Sequence, residues 1–575
     1  MKLVLALILG PAIALAAPSP LDRTWDYIIV GSGASGIPLA DRLSESGKSV
    51  LLLERGWASS GRWGGTRKPS WLEGTNLTRF DVPALAQLIW TPGFDNAGIL
   101  CDDVQMPASC ILGGGPAINA GQLYLPTPGD FDLNQPPGFR WADVASASRK
   151  VKKRLPWTDT PSQDGKSYLT NGTKIVWDAF TNSSLAEPFR LIRANDELED
   201  RDRVSSSAEF FFINGEKGGP MATYLVSASK RKNFKLQLNT TVARVLRNGD
   251  TATGVDVEAT HPGGLTGRIK VTPGTGRVII SAGVFNTFKI LLRSGIGPQD
   301  QLTQLSNHST EAAKLPPKKQ WIDLPVGHNL DDSPSITLAV ATPYLELYDW
   351  VGVYNSTPAT RPEIKQYLEH RSGPLAELQP SIGPVSWDTI KGADGRDRII
   401  QWDFTSGDGQ GLSDTPILAF SSNLNLGKTS RGRLSLSTDS RLFVNVSKTP
   451  FFNDEGDHDF KAMLASAASI VEILKTIPNS SIIYPPPGTS LEDYLRFYIA
   501  TQSLTRNHWA GSTKMGRTCK DEGAVVDTTT KVCGTKNLFV VDAGIINGVP
   551  TGNPQATFIV AAEKAAEVIL GLGRY

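Results

Sequence analysis

The first part of the chain alternates short apolar runs with polar turns, as a strand–helix–strand unit does. A mainly apolar run spans Trp25–Val30, a stretch with helical spacing extends from Ala34 to about Ser44, and a second apolar run spans Ser49–Leu53. Short apolar runs bounded by turns predict buried strands, and apolar residues spaced by three and four predict a helix. Parallel strands joined in this way need both faces of their sheet covered.

Further elements follow the same reading. Strand-like segments lie at Lys235–Leu238, Val255–Glu258, Arg277–Ser281 and Asn537–Val541. A helical segment follows Ser281 and ends at Ser294, and another covers Ala556–Leu572. Between about 334 and 500 the pattern changes, because Arg398–Phe404, Arg433–Ser437 and Leu442–Val446 are typical of strands, the last two antiparallel. The pattern predicts an α/β fold that encloses a second lobe with a mixed sheet.

The turn after the first strand carries a glycine motif, GSGASG, at residues 31–36. In a dinucleotide-binding turn, Gly31 permits the tight bend, Gly33 allows the backbone to approach a pyrophosphate, and Gly36 lets helix and strand pack closely. Ala34 and Ser35 then open the helix, whose free N–H groups and dipole favour an anion. The motif predicts a Rossmann-type nucleotide site.

Glu54 ends the second strand, 18 residues after Gly36, where a carboxylate can accept hydrogen bonds from ribose hydroxyls. This unit binds the adenosine half that NAD and FAD share. FAD also needs a second anchor, and residues 537–544 offer a buried strand that ends at Asp542, followed by Asn553 and a new helix. FAD is therefore the predicted cofactor.

Several spaced motifs extend this prediction to a family. Residues 112–119 (LGGGPAIN), 281–283 with 291–298 (SAG, LLRSGIGP), 324–330 (LPVGHNL) and 551–555 (TGNPQ) occur in order along the chain. From Trp25 to its end the chain resembles the glucose–methanol–choline (GMC) oxidoreductases, flavoenzymes that oxidise alcohols and sugars. One position departs from the family, since Phe288 stands where many members carry proline.

The resemblance implies a Rossmann-type FAD-binding domain and a mixed α+β substrate domain built on an antiparallel sheet. It places the FAD-binding domain at 24–140, 221–333 and 503–575, and the substrate-binding domain at 141–220 and 334–502. The cofactor contacts that it implies, beyond those of the first βαβ unit and Asp542, are Gly113, Asn119, Val242, Ala543 and Pro554. Ile118 leaves no histidine in the 112–119 loop for a covalent link, so FAD is expected to bind non-covalently.

The chain has six histidines, and the resemblance assigns the catalytic position to His508. Abstraction of a hydroxyl proton suits an imidazole, here expected to titrate near neutrality, while hydride passes to flavin N5. His261, His308, His370 and His458 lie in polar or charged surroundings, and His328 is expected to be structural, close to the cofactor. Asn553 is the expected partner of His508 at the substrate oxygen.

Within the family, residues 74–83, 219–224 and 507–509 are similar to the flavin domain of fungal cellobiose dehydrogenase. That similarity implies a sugar hydroxyl as substrate, contacted at Asn507 and oxidised at the anomeric carbon of a cellobiose- or oligosaccharide-type molecule. Aryl or aliphatic alcohols are the alternative. A dehydrogenase is expected rather than an oxidase, and oxygen, a quinone or a redox protein could take the electrons. Arg506 departs from the small residue of that branch.

The N-terminal segment predicts export. Residues 1–17 combine Lys2, an apolar run and small residues before a cleavage point, as in a signal peptide, so a secreted, extracellular glycoprotein is expected. Eight Asn-x-Ser/Thr sequons agree with this prediction. Four cysteines allow three pairings, and we favour the two local ones, Cys101 with Cys110 and Cys519 with Cys533. Their spacing does not suit a zinc site, so no metal is expected.

Charge and motifs narrow the function classes. Lys and Arg number 58 against 57 acidic residues, and loss of Lys2 would leave none in excess, so neither nucleic acid nor a membrane surface is an expected partner. A hydrolase is the rival class, but the chain has no Gly-x-Ser-x-Gly elbow. A glycosidase or a non-catalytic flavin protein would not explain Asp542 together with His508.

Overall fold

The structure is a computed structural model that describes residues 19–90, 94, 96–378, 383–407, 416–437 and 442–575. The predicted leader, residues 1–17, lies outside the described residues. Both predicted disulfides are confirmed, since Cys101 pairs with Cys110 and Cys519 with Cys533. Within the described ranges, no helix combines the length and apolar character that crossing a membrane requires.

A five-stranded parallel sheet forms the centre of the nucleotide-binding half. Its strands lie in the spatial order Leu538–Val540, Arg277–Ile280, Tyr27–Val30, Val50–Leu53 and Phe234–Gln237. Every residue of the first four strands is buried, as their apolar composition predicts for a sheet covered on both faces. The βαβ unit and the strands near 277 and 537 are thereby confirmed.

Helices cover this sheet. Gly36–Glu45 packs against Tyr224–Ser229 and Gln555–Gly571, and the latter also packs against Trp141–Arg154. Gly283–Arg293 follows the strand Arg277–Ile280 and ends where the sequence predicts. The other α-helices of the described ranges are Gly115–Ile118, Pro128–Asp132, Asn171–Phe180, Gln299–Ser306, Trp350–Asn355, Arg361–His370, His458–Leu474 and Leu491–Thr501.

A second sheet has four strands, in the order Thr24–Trp25, Gly267–Val271, Thr251–Ala259 and Thr240–Asn248. The first pair is parallel and the others are antiparallel. The strand-like segments predicted at 235–238 and 255–258 are both strands, but they lie in different sheets, since Phe234–Gln237 extends the parallel one.

The substrate half is built on a seven-stranded sheet in the order Ser481–Tyr484, Thr337–Ala341, Ile417–Leu424, Asp397–Ser406, Val385–Lys391, Val204–Ser206 and Arg190–Ile192. Only the last pair is parallel among these described strands. His458–Leu474 packs on one face, where Trp402, Phe404 and Phe420 form a buried aromatic core with Met463. The predicted fold class, a Rossmann-type half with a mixed antiparallel half, is confirmed.

Two strand pairs complete the strands of the described residues. Arg433–Leu436 pairs with Val444–Lys448 in the predicted antiparallel sense, and Phe212–Ile213 pairs with Glu216–Lys217. The first pair forms a sheet of its own, and Leu434, Leu436 and Val444 join the core of the nucleotide-binding half rather than the seven-stranded sheet. The domain bounds implied by the resemblance stay a prediction.

Candidate active site

A cavity of about 700 Å³ opens at the carboxyl ends of the parallel strands and reaches the seven-stranded sheet. The residues that follow three strands line it: Gly31 after the first, Glu54 after the second and Ser281 after the strand at 277–280. Ligands of open α/β sheets bind at this edge, where the strand order reverses direction. His508 and Asn553 line the same cavity at its other end.

The glycine turn forms one wall. Gly31 has φ +101°, and a Cβ there would lie 2.4 Å from the Ser281 carbonyl oxygen, so only glycine fits. A Cβ at Gly36 would lie 1.9 Å from the Gly31 carbonyl oxygen, in agreement with its predicted packing role. A Cβ at Gly33 would meet nothing within 4 Å, so this backbone is open towards the cavity. No acidic residue occupies the first turn of the following helix, which leaves its N-terminus suited to an anion.

Two carboxylates flank the turn. Glu54 accepts hydrogen bonds from the Ser32 amide (3.1 Å) and hydroxyl (2.5 Å) and lies at the cavity wall. Asp542 accepts from the Gly283 amide (3.0 Å) and the Thr287 hydroxyl (2.5 Å), and burial raises its pKa. These contacts hold both carboxylates in fixed orientations at the cavity, where hydroxyl groups of a ligand could reach their remaining lone pairs.

The loop at 112–119 lies against the glycine turn at the cavity, since a Cβ at Gly114 would lie 2.7 Å from the Cα of Gly33. Asn119 donates to the Gln555 side chain (2.8 Å) and lines the cavity together with Ile118. Gln555 Nε2 and the hydroxyl of Ser109 also line it and are buried with no hydrogen-bond partner. A buried polar group without a partner costs free energy unless a ligand or water satisfies it.

These features fit FAD. An anion site, two carboxylates that can bind hydroxyl groups, and unsatisfied donors line one cavity. The predicted cofactor contacts that line it are Gly31, Gly33, Ala34, Ser35, Glu54, Asn119, Val242, Asp542, Ala543 and Pro554. Gly36 and Gly113 lie behind the wall; a Cβ at Gly113 would lie 2.5 Å from the sulfur of Met221.

His508 and Asn553 meet at the other end of the cavity, with His508 Nε2 3.4 Å from Asn553 Nδ2. The segment that carries His508 is held beside residues 331–334 by bridges at Thr505–Pro334 and Ala510–Asp331. Asn507, the predicted substrate contact, adopts the left-handed conformation (φ 59°) and lies exposed at the cavity. The structure therefore brings together the three residues that the sequence analysis assigned to catalysis and substrate.

The electrostatic surroundings of His508 differ from the expectation of a neutral pKa. Burial and the positive charge of Arg506 lower the pKa of His508 to about 4, although the negative charge of Asp403 acts in the opposite direction. The imidazole is therefore uncharged at neutral pH and able to accept a proton. Asp332, whose pKa burial raises to about 7, accepts a hydrogen bond from the main-chain N–H of His508 (2.7 Å) rather than from its ring.

Sequence reasoning missed a cluster of polar side chains on the seven-stranded sheet. Asp403 lies at the cavity and accepts a hydrogen bond from the Arg506 guanidinium (3.0 Å), while Arg506 Nε donates to Asn423 (2.5 Å). Gln401 donates to Asp403 (2.8 Å) and to Asn553 (2.9 Å). The sequence marks Arg506 only as a departure from a family branch.

The other histidines lie elsewhere. His261 and His370 are exposed, and His308 and His458 are half-buried, in agreement with their exclusion. His328, expected near the cofactor, is not among the described residues that line the cavity. Its neighbours are Arg433 and Asp300, and burial lowers its pKa.

Comparisons with known proteins agree with this geometry. The two halves of the GMC oxidoreductase family model match residues 26–335 and 428–562. The chain is 27% identical over 569 residues to an oxygen-dependent choline dehydrogenase of Rhizobium etli, covering 95% of each chain. It is 25% identical over 572 residues to an uncharacterised GMC-type oxidoreductase of Mycobacterium bovis, covering 96% of this chain and all of the other.

Solved structures show the same fold. A formate oxidase of Aspergillus oryzae superposes with a TM-score of 0.73 at 20% identity, over 95% of this chain and 98% of the other. A fungal aryl-alcohol oxidase gives 0.65 at 19% identity, over 95% and 99%. The family match agrees with the cavity that fits FAD and with the histidine that lines it. We conclude that the chain belongs to the GMC oxidoreductase family and is an FAD-dependent oxidoreductase that acts on CH–OH groups.

Proposed function

We propose that this protein oxidises a hydroxyl group of a neutral, polyhydroxylated substrate, a cellobiose- or oligosaccharide-type sugar, at its anomeric carbon. The observation that carries this proposal is the pairing of charge on the substrate side of the cavity. Arg506 and Asp403 lie 3.0 Å apart and neutralise each other. The other polar side chains on this side are uncharged, among them Thr337, Thr405, Ser421 and Asn507.

This arrangement disfavours charged substrates. A quaternary ammonium substrate gains most from an unpaired carboxylate or an aromatic cage, and a small anion from an unpaired cation. Because Asp403 is bound by Arg506, the substrate side of the cavity offers neither charge alone. Sugar hydroxyls both donate and accept hydrogen bonds, and the Asp403 carboxylate, the Arg506 guanidinium and the neighbouring hydroxyls match both roles.

The chemistry divides between cofactor and protein. FAD, when bound, supplies the two-electron acceptor that takes the hydride from the carbinol carbon. His508 accepts the hydroxyl proton at Nε2, which faces Asn553 and the cavity. Asn553 provides a neutral hydrogen-bonding group next to that nitrogen, so it orients the substrate oxygen without competing for its proton. Burial keeps His508 uncharged before the substrate arrives.

An aryl- or aliphatic-alcohol oxidase or dehydrogenase is the second candidate. Four aromatic side chains, Trp90, Phe285, Trp509 and Phe558, also line the cavity, and an aromatic ring could pack against them.

We propose that the enzyme acts as a dehydrogenase, with a quinone or redox protein, or else oxygen, as electron acceptor. The finer resemblance to the cellobiose dehydrogenase branch stays part of this proposal.

The substrate proposal is tested by anaerobic rapid mixing with cellobiose, benzyl alcohol and choline, following flavin absorbance. Cellobiose should reduce the flavin at least tenfold faster than choline, since one lost charge-assisted contact costs about 1.5–3 kcal/mol. Asp403→Asn should slow reduction by cellobiose because Arg506 loses its partner. Asp178→Asn, at an exposed pair with Lys174, is the matched control. Fast reduction by benzyl alcohol and none by cellobiose would select the second candidate.

We also propose that FAD is held without a covalent bond. Among the described residues that line the cavity, none is cysteine or tyrosine, and the loop position nearest the family's histidine link carries Ile118. Acid precipitation of the purified protein should therefore leave a colourless pellet and a yellow supernatant. A yellow pellet that releases flavin peptide only after proteolysis would contradict this proposal.

Export is proposed on two further observations. Both disulfides join cysteines close in sequence, and disulfides persist in oxidising compartments. The eight sequon asparagines are exposed or half-buried residues, although the side-chain oxygen of Asn239 is buried: Asn76, Asn171, Asn182, Asn239, Asn307, Asn355, Asn445 and Asn479. Finding the protein only inside the producing cells, with no change in mobility after endoglycosidase treatment, would count against export.

A further inference from the structure

We propose that a ring of side-chain hydrogen bonds behind the cavity fixes the tautomer of His508, with the proton on Nδ1 and Nε2 bare. Gln401, Ser333 and Asn425 are the positioning residues of this ring, which we call the tautomer lock. The inference deepens the proposed function and rests on it in one respect, namely that Nε2 is the atom that accepts the substrate proton.

The first side of the lock starts at a main-chain carbonyl. Asn425 Nδ2 donates to the carbonyl oxygen of Thr551 (2.7 Å), and because a carbonyl can only accept, this contact fixes which end of the amide is nitrogen. Asn425 Oδ1 is then the acceptor for the Ser333 hydroxyl (2.6 Å). The single hydroxyl proton of Ser333 is thereby used. Ser333 Oγ, 3.3 Å from His508 Nδ1, can only accept there, so Nδ1 must carry a proton.

The second side starts at a carboxylate. Asp403 Oδ1 accepts from Gln401 Nε2 (2.8 Å), and its other oxygen accepts from Arg506 (3.0 Å), so Gln401 presents nitrogen on this side. The same Nε2 donates to Asn553 Oδ1 (2.9 Å). The amide of Asn553 therefore turns its nitrogen towards His508 Nε2, at 3.4 Å, and that ring nitrogen must be an acceptor.

The two sides reach the same tautomer independently. They also meet each other, since Asn425 Nδ2 lies 3.4 Å from Gln401 Oε1 and closes the ring. Gln401, Ser333 and Asn425 are at most 1% exposed, so water cannot replace a partner if one amide turns over. Turning either amide would set two donors or two acceptors against each other in a buried place, which is costly.

The lock matters because only one neutral tautomer can act. With the proton on Nε2, the ring would present a donor to the substrate hydroxyl and could not take its proton. In a serine protease triad, loss of the group that holds the correct tautomer lowers kcat by roughly 10⁴-fold. Here the ring is uncharged at neutral pH, so the choice between its two nitrogens decides whether the base is ready.

The experiment reads the tautomer directly. The FAD-loaded protein, labelled with ¹⁵N-histidine, is examined by solid-state NMR at pH 7, and His508 is assigned by comparison with His508→Ala. We expect a protonated Nδ1 and a bare Nε2. Gln401→Glu removes the donor to Asn553 and lets that amide turn, while the Ser333 side stays intact, so a share of the molecules should carry the proton on Nε2 instead of Nδ1. Flavin reduction at saturating substrate should then fall in proportion to the share of molecules whose Nε2 is protonated, about twofold for equal shares, with a smaller change in apparent affinity.

Two controls keep the result specific. Gln301→Glu makes the same change at a buried glutamine that faces Asp300, away from the cavity, and should leave the His508 signals and rate unchanged. Ser333→Ala opens the other side of the lock and should produce a mixture of tautomers. Ser422→Ala, at a buried serine bonded only to the backbone of Ile336, should not.

The outcomes separate the two proposals. A wild-type Nε2–H tautomer, or Nδ1–H retained fully in both Gln401→Glu and Ser333→Ala, would overturn the tautomer lock. If Gln401→Glu fails to fold, the wild-type and Ser333→Ala spectra still decide. If the spectra show the expected tautomers but His508→Ala reduces flavin at the wild-type rate, the lock stands and the base assignment of the proposed function fails.

Discussion

Replacing His508 by alanine should slow reduction of bound FAD by about 100- to 10,000-fold at saturating substrate, the usual cost of losing a general base. The side chain is the histidine of the described cavity lining and its Nε2 faces the cavity beside Asn553. Stopped-flow absorbance with the best substrate of the panel measures the effect in a single turnover. Flavin content and substrate affinity should stay close to wild type, because the change removes a proton acceptor rather than a cofactor contact.

The rate of flavin reduction should also depend on pH through the protonation of His508. Because burial and Arg506 lower the pKa of His508 to about 4, the imidazole is protonated and inactive only below that value. Wild-type flavin reduction should rise with pH through about 4 and be level at neutrality. His508→Ala should lose the acid limb. An inflection near 6.5 that disappears in His508→Ala would show that the ring is more solvated in the complex than in this structure.

Asn553→Ala provides the comparison of scale. It removes a neutral hydrogen bond, whose net worth is about 0.5–1.5 kcal/mol, so the rate should fall only about two- to tenfold. A loss as large as that of His508→Ala would mean that Asn553 carries more of the chemistry than orientation. A rate of His508→Ala within a few-fold of wild type would place the base elsewhere.

Local signals made the nucleotide half predictable. The glycines at 31, 33 and 36 have steric reasons that act within one turn, and the structure shows the close contacts behind two of them. Glu54 and Asp542 could be placed because each lies within two residues of the end of a buried strand, and parallel strands present their carboxyl ends at one edge. Both inferences needed only residues that are neighbours in sequence.

The cluster of polar side chains behind the base could not be found in this way. Gln401 and Asp403 lie on the strand Asp397–Ser406, and they meet Asn423 and Asn425 only because that strand pairs with Ile417–Leu424. The register between these two strands cannot be derived from a single sequence. The hydrogen bonds to His508 and Asn553 join positions more than a hundred residues apart.

One signal was nevertheless present in that strand. Ile400, Trp402 and Phe404 point into the aromatic core, while Gln401, Asp403 and Thr405 alternate with them on the opposite face. Gln401 and Asp403 are buried as well. Polar residues on a face that is also buried are unusual in a strand, since each needs a hydrogen-bond partner. The alternation becomes informative only once both faces are known to be buried, because by itself it predicts a strand with one solvent-facing side.

The cofactor prediction with the largest effect compares two alanine substitutions in the glycine turn. At Gly33 a Cβ meets nothing within 4 Å and the backbone is in an ordinary conformation, so Gly33→Ala should fold normally. The methyl group would project where the pyrophosphate has to approach, and a loss of about 1.4–3 kcal/mol there corresponds to roughly 10- to 100-fold weaker FAD binding. Fluorescence titration of the apoprotein with FAD measures it.

Gly36→Ala should lower the stability of the apoprotein, whereas Gly33→Ala should mainly weaken FAD binding. Its Cβ would lie 1.9 Å from the Gly31 carbonyl oxygen, so helix and strand must separate before any cofactor binds. Such overpacking of a buried contact costs about 1–3 kcal/mol of unfolding free energy. Thermal unfolding of the two apoproteins should therefore differ, with Gly33→Ala near wild type and Gly36→Ala clearly lower. Gly571→Ala, where a Cβ also meets nothing, is the control for the substitution itself. If Gly33→Ala binds FAD as wild type does, the pyrophosphate does not approach at Gly33, and the glycine turn has only a packing role.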